Sequence, residues 1–198
     1  QASSQIEKNT ILYECTKDYG EVINFGCFED EENYSYVEIA LEICLLISSQ
    51  AVDFIVTGCS SGQGMMIACN SLPNLICGYL PTPQDAYLFG RINDGNVASL
   101  PLGLNYGWAG EINLKATIQQ LFEEPFGIGY PLKDAKRKQE DTKKIKDLNQ
   151  LCKKDIIEFL NEIDSSFINK VLSKNDVIDY ILEQGKDQRI KQWILNRR

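Results

Sequence analysis

Apolar residues recur along the first two thirds of the chain in short blocks that alternate between helical and strand spacing. Ile6, Ile11, Leu12 and Cys15 are spaced for a helix over Ile6–Tyr19, closed by Gly20. Glu21–Gly26 reads as a strand running into a turn, and Glu29–Asn33 is an acidic loop. Ser35 with Glu38 three residues on forms a capping box for a helix over Tyr36–Ser49, apolar on most sides and therefore buried. A β-rich run at Phe54–Val56 leads into a loop of small residues, Gly58–Gly64, and then a helix beginning Met65-Met-Ile-Ala68. Leu75–Leu80 is a further strand. Thr82 caps a helix with Pro83 in its first turn and Asp85 reaching back, running to about Ile92. The turn Asn93–Asn96, the strand Val97–Leu102 and the helix Trp108–Phe122 complete the series. Strand and helix alternate throughout, which predicts an α/β fold with a parallel sheet covered on both faces.

Near Pro131 the pattern changes. Lys133–Lys154 is densely charged with both signs, a solvated helix or linker rather than a binding tract. Beyond it Ile156, Ile157, Phe159, Leu160 and Ile163 form one amphipathic stripe, Asn175 caps a helix over Val177–Glu183 ended by Gly185, and Trp193 lies in a last helix. Residues 1–131 are thus expected to form the α/β domain, and residues 132–198 a small helical extension that packs on it or on a neighbouring subunit. The extension reads as structural, without chemistry of its own.

The 198 residues suffice for one core plus this appendage. No run approaches the ~20 apolar residues of a membrane span. No basic region followed by an apolar block opens the sequence, so secretion is not indicated. Seven cysteines, odd in number and without C-x-x-C spacing, suit a reducing cytoplasm, the expected location. The chain has no histidine, which excludes Ser-His-Asp and Cys-His catalysis within one copy and argues against a zinc site. Before residue 132 only Lys8, Lys17, Arg91 and Lys115 oppose 16 acidic residues, so nucleic acid is not an expected partner, and neither is a membrane.

The chemistry concentrates in Cys59-Ser-Ser-Gly-Gln-Gly64. A loop of small residues between a strand and a helix points the free N–H groups of the helix's first turn at whatever occupies the loop, and makes an anion site. Cys59 sits in that field, where a nucleophile or a base at carbon would be needed. The same residues also suit an ordinary turn with a buried cysteine. No Gly-Lys-Ser/Thr follows, and glycines at 58, 62 and 64 do not fit G-x-G-x-x-G, so a nucleotide-binding or flavodoxin-like reading is disfavoured.

Cys59-Ser-Ser-Gly-Gln-Gly-Met-Met-Ile-Ala-Cys-Asn70, then Leu72-Pro-Asn74, then Ile92-Asn-Asp-Gly-Asn-Val97 resemble the ribose-5-phosphate isomerase B and galactose-6-phosphate isomerase family. The family pattern is Cys-Gly-Thr-Gly-x-Gly-x-Ser-Ile-Ala-Ala-Asn-Lys, x-Pro-Gly and His-Asn-Asp-x-Asn-Val, and the resemblance covers about residues 5–130. It implies a Rossmann-like αβα sandwich with a five-stranded parallel sheet. It also implies a homodimer or tetramer with sites at the subunit interface, and aldose–ketose isomerisation of a sugar phosphate through an enediolate, with no metal or cofactor. By resemblance Cys59 is the base between C1 and C2, and Ser60, Ser61, Gly62, Gln63 and Gly64 hold the enediolate oxygens, with Ser61 in place of the family's threonine. Asn70 and Asn93 hold the loop or touch substrate. The alternative is a non-catalytic sugar-binding or regulatory protein that kept the fold.

Three positions depart from the pattern. The family's ring-opening histidine falls on Ile92, so the substrate enters as the open chain or another group, Asp94 or Tyr87, opens the ring. Gly127-Ile-Gly-Tyr-Pro131 stands where the family carries a phosphate-binding arginine, a charge that Lys133, Lys136 or Arg137 of a neighbouring chain would have to supply. The family's first strand, which contacts the sugar, has no counterpart here, because the sequence opens in the helix that follows it. A central strand is therefore expected ahead of Gln1.

Overall fold

The computed structural model describes residues 1–198. The first helical segment is α1 (Asn9–Thr16), with tighter 3₁₀ turns at Ser3–Lys8 and Lys17–Tyr19. Helix α2 (Tyr36–Ser48) begins at the expected capping box: the Ser35 hydroxyl accepts from Val37 N–H at 3.3 Å, and the Glu38 carboxylate accepts from Ser35 N–H at 2.5 Å. There follow β1 (Ile55–Cys59), α3 (Gln63–Asn70), β2 (Cys77–Tyr79) and α4 (Pro83–Leu88), capped by Thr82. Helix α4 opens into a π turn at Phe89–Asn93 before β3 (Val97–Pro101) and α5 (Gly110–Phe122). The last third is helical throughout: α6 (Ala135–Leu151), α7 (Ile156–Glu162), α8 (Ser165–Leu172), α9 (Asn175–Gln184) and α10 (Gln188–Leu195). None of these helices is long and apolar enough to cross a membrane.

The three strands are parallel in the order β1-β3-β2, with Ile55 opposite Val97, Cys59 opposite Pro101, and Cys77 also opposite Val97. Five strands were expected and three form. Glu21–Gly26 is not a strand and joins no ladder; its Val22 and Phe25 line an apolar groove of ≈ 460 Å³ together with Phe54 and Val56. At the outer edge of β1 one backbone bond runs from Ala2 N–H to the Gly58 carbonyl, 3.1 Å.

Side-chain alternation divides the sheet into two apolar faces, as a three-layer αβα sandwich requires. Cys59, Cys77 and Val97 face α2 and α3, while Ala98 and Leu100 face α1, α4 and α5. The first face does not end at residue 131. Its cluster continues from α2 through Ile156 and Leu160 of α7 and Val171 of α8 to Ile178 of α9 and Ile194 of α10, so the last four helices share one core with α2. Helix α6 spans the sheet's lower side: Asn149 Nδ2 donates to the Leu75 carbonyl at 3.1 Å, and Lys153 Nζ, just past its end, to that of Leu72 at 2.6 Å.

Candidate active site

Cys59 is the last residue of β1 and is 7 % exposed. Beyond it Ser60–Gly62 turn the chain into α3. The turn needs glycine twice. Gly62 has φ +74°, where a side chain is strained, and a Cβ there would lie 2.8 Å from the Tyr79 ring and 2.9 Å from the Leu100 carbonyl carbon. A Cβ on Gly58 would lie 2.4 Å from the Leu100 carbonyl oxygen. The buried Ser99 hydroxyl donates to the Gly62 carbonyl at 2.6 Å and pins the turn to β3. A second loop is laced alongside: Leu102 N–H donates to the Cys59 carbonyl at 3.0 Å, and Gly103 and Leu104 N–H both donate to that of Ser60.

With the carbonyls tied down, the amides are left over. The N–H groups of Ser60, Ser61, Gly62 and Gly64 meet no acceptor within the chain, whereas Gln63 N–H donates to the Ser61 hydroxyl at 3.3 Å. Four unbonded donors at the start of an α-helix, beside a thiol, form a cradle for negative charge.

Of the residues singled out in the sequence, the fold brings together Cys59, Ser60, Ser61, Gly62, Gln63 and Gly64. Asn70 lies at the far end of α3, and its carboxamide is consumed by β2: Cys77 N–H donates to Oδ1 at 2.9 Å and Nδ2 donates to the Cys77 carbonyl at 2.8 Å. Asn93 is exposed at the end of the π turn that precedes β3. Because β3 runs parallel to β1 with Val97 opposite Ile55, Asn93 is at the opposite end of the strands from Cys59, roughly 13 Å or more away at ~3.3 Å per residue.

The groups considered for ring opening lie at that lower end too. Asp94 is paired with Lys146 of α6, and the Tyr87 hydroxyl donates to Glu124 at 2.8 Å, a carboxylate that holds the phenol above its ordinary pKa. Arg91, wholly buried between the Tyr87 and Phe126 rings, donates from Nη2 to the Leu121 carbonyl at 2.9 Å. Lys133 and Lys136 are exposed after Gly127–Pro131 and make no ion pair. One group at the loop was not singled out in the sequence: Gln5, whose Nε2 donates to the Ser60 hydroxyl at 2.8 Å. No periodicity marks it, since it precedes the first apolar stripe.

The ribose/galactose isomerase family profile matches residues 3–145. A search of curated protein sequences finds no match to this chain. Among solved structures, a 4-deoxy-L-threo-5-hexosulose-uronate ketol-isomerase complexed with a tartrate is 35 % identical, with a TM-score of 0.94 over 99 % of this chain and 95 % of that one. A ribose-5-phosphate isomerase from Vibrio parahaemolyticus is 29 % identical, with a TM-score of 0.94 over 100 % of this chain and 96 % of that one. The type B ribose 5-phosphate isomerase from Trypanosoma cruzi, 21 % identical over 75 % of this chain and 93 % of its own, shares the fold at a TM-score of 0.62. The profile spans well over half of the chain, and the chain belongs to the ribose/galactose isomerase family.

Proposed function

We propose that the protein interconverts an aldose and a ketose through an enediolate, with Cys59 as the base. Its thiolate takes the C2 proton of the open-chain aldose, and the electron pair moves onto the C1 oxygen. Return of the proton to C1, with transfer of the O2 proton to O1, gives the ketose. The unbonded amides of Ser60, Ser61, Gly62 and Gly64 carry this reading, because donors already in place where oxyanion charge develops are usually the largest catalytic contribution. Ser61, its oxygen fixed by Gln63 N–H, keeps its hydroxyl hydrogen for the substrate.

The substrate class is a sugar phosphate of the ribose 5-phosphate or galactose 6-phosphate type, taken up in the cytoplasm. The working unit is a homo-oligomer in which Asn93, Lys133 and Lys136 of one copy reach the Cys59 loop of another. A second reading, a uronate, is favoured by the 35 % identity to the hexosulose-uronate ketol-isomerase and by Gly127–Pro131, which carries no arginine to fork onto a phosphate.

The test is proton exchange in D2O, followed by NMR, with a panel of sugar phosphates and uronates beside Cys59→Ala. Deuterium appearing at C2 of one sugar, and absent with Cys59→Ala, is the expected result and names the substrate. Tight binding of a sugar without exchange would leave a binding protein.

A further inference from the structure

We infer that Gln5 is a substrate-contacting residue that selects for a hydroxyl on the carbon next to the C1–C2 pair, an inference that rests on the isomerase reading of the Cys59 loop. The side chain is 7 % exposed, and its backbone, with φ −133° and ψ 32°, breaks the helical path of Ser3–Lys8. Both hydrogens of Nε2 are used, one to the Ser4 carbonyl at 2.7 Å and one to the Ser60 hydroxyl at 2.8 Å. The Ser4 carbonyl can only accept, so the nitrogen must face it and the orientation of the carboxamide is fixed. Oε1 is left buried without a partner.

No group of the chain donates to that oxygen, and the backbone donors beside it are already committed. The carboxamide lies against Gly103, where a Cβ would sit 3.3 Å from Nε2 and 3.4 Å from Oε1. The N–H groups of Gly103 and Leu104, the adjacent donors, are both committed to the Ser60 carbonyl at 3.0 and 2.6 Å. A buried acceptor without a donor is destabilising, and such groups in native proteins mark places where a ligand or water completes the bonding. Here the orphan stands beside Ser60, whose own N–H is one of the open amides next to Cys59. The Ser4 and Ser60 hydroxyls are 3.5 Å apart and complete a cluster of three oxygens. A sugar whose C1–C2 oxygens rest on the loop amides presents its next hydroxyl to this cluster. That hydroxyl donates to Oε1 and accepts from the Ser4 or Ser60 O–H. A substrate lacking it leaves Oε1 unbonded, which is how a polar site rejects a deoxy analogue.

The test uses D-ribose 5-phosphate and D-glucuronate, each beside its 3-deoxy counterpart, with the full chain and with Gln5→Leu and Gln5→Glu. Exchange at C2 and calorimetric affinity are read separately, and thermal unfolding shows that the variants fold. The expected result is a loss of about 10- to 100-fold in kcat/KM or affinity for the hydroxylated sugar with Gln5→Leu, and less than about threefold for the 3-deoxy sugar. Gln5→Glu sets an oxygen against the Ser4 carbonyl in place of Nε2, loses both anchoring bonds, and is expected to lose the preference as Gln5→Leu does. Equal losses on both sugars, or none on either, overturn the assignment while exchange by the parent protein leaves the isomerase standing. Binding that discriminates through Gln5 without any exchange overturns the isomerase and keeps Gln5. Neither exchange nor binding with any of the four sugars overturns both.

Discussion

Asn93 and Cys59 lie at opposite ends of the same parallel ladder, one before β3 begins and the other where β1 stops. A strand's length of packed sheet separates them, and no loop movement brings them together within one copy. If both serve one site, the site is made by two chains. In a two-fold dimer, a Cys59→Ala copy paired with an Asn93→Ala copy has one site carrying both substitutions and one carrying neither. Each variant alone is expected to be inactive, and random co-assembly of equal amounts to recover about a quarter of the parent rate. Co-expression with two affinity tags checks this: the purified mixed dimer, with one intact site of two, is expected to show about half of the parent rate. Full activity of Asn93→Ala alone would remove Asn93 from the site, and two inactive variants without recovery would rule out a site shared in this way.

Gly62 and Gly64 frame the loop but tolerate different changes. Gly62→Ala combines a positive φ with a Cβ at 2.8–2.9 Å from Tyr79 and the Leu100 backbone, a place where the neighbour cannot yield. It is expected to cost about 2–3 kcal/mol of stability and, by shifting the amides, about 100-fold in kcat. Gly64→Ala meets only the Tyr36 ring, at 3.4 Å, and lies within α3, so it is expected to leave stability unchanged or raise it by up to about 1 kcal/mol. Urea unfolding and steady-state kinetics on the pair separate the two. Equal behaviour would show that the turn is not the constraint.

The same loop shows what the sequence could and could not reveal. The strand, the small-residue turn and the helix start were legible from Phe54 to Ala68, and so were the capping box at Ser35 and the Thr82 cap, because each depends on a few adjacent residues. The sheet's extent was not. Glu21–Gly26 has a strand's composition, but a strand also needs a partner at hydrogen-bonding distance, and the segment joins no ladder. The change in pattern near Pro131 marks where the helical extension begins but not which helix it packs on, and that is α2, whose core runs on into α7–α10. The clamp of α6 on the far end of the sheet, through Thr142 to the Ile92 carbonyl and Lys146 to Asp94, joins positions about fifty residues apart and leaves no local trace. Gln5 was invisible for the same reason, since its partner is Ser60.

The family resemblance has Asn70 holding the loop or touching substrate, and its carboxamide is engaged within the chain. Both ends of its carboxamide are bonded to Cys77, so its task is to fasten β2 to the end of α3. Asn70→Ala leaves a strand N–H and carbonyl without partners and is expected to cost about 2–4 kcal/mol. KM and kcat measured well below the unfolding temperature should stay within about twofold, because the loop at the other end of α3 is held by Ser99 and by the 102–104 backbone. A large rise in KM with unchanged stability would return Asn70 to the substrate.

Glu42 gives stability a pH dependence of unusual sign for a carboxylate. It is 3 % exposed on α2, its Oε1 has no partner, and burial pushes its carboxyl up to about 8. Lys174 pulls it the other way, and Asp176 and Glu31, which flank Lys174, oppose that pull. In the unfolded chain the group titrates near 4.5, so between 4.5 and about 8 the unfolded state is ionised while the folded state stays protonated. The stabilising contribution is therefore complete below 4.5 and is lost as pH rises through 8, at up to ~1.4 kcal/mol per pH unit. Glu42→Gln keeps the shape without the charge. Its stability advantage over the parent is expected to be near zero at pH 4.5 and to grow to several kcal/mol by pH 8, as read from urea unfolding at half-unit steps. A difference that does not change with pH would mean that Glu42 is ionised in the folded protein, held there by Lys174.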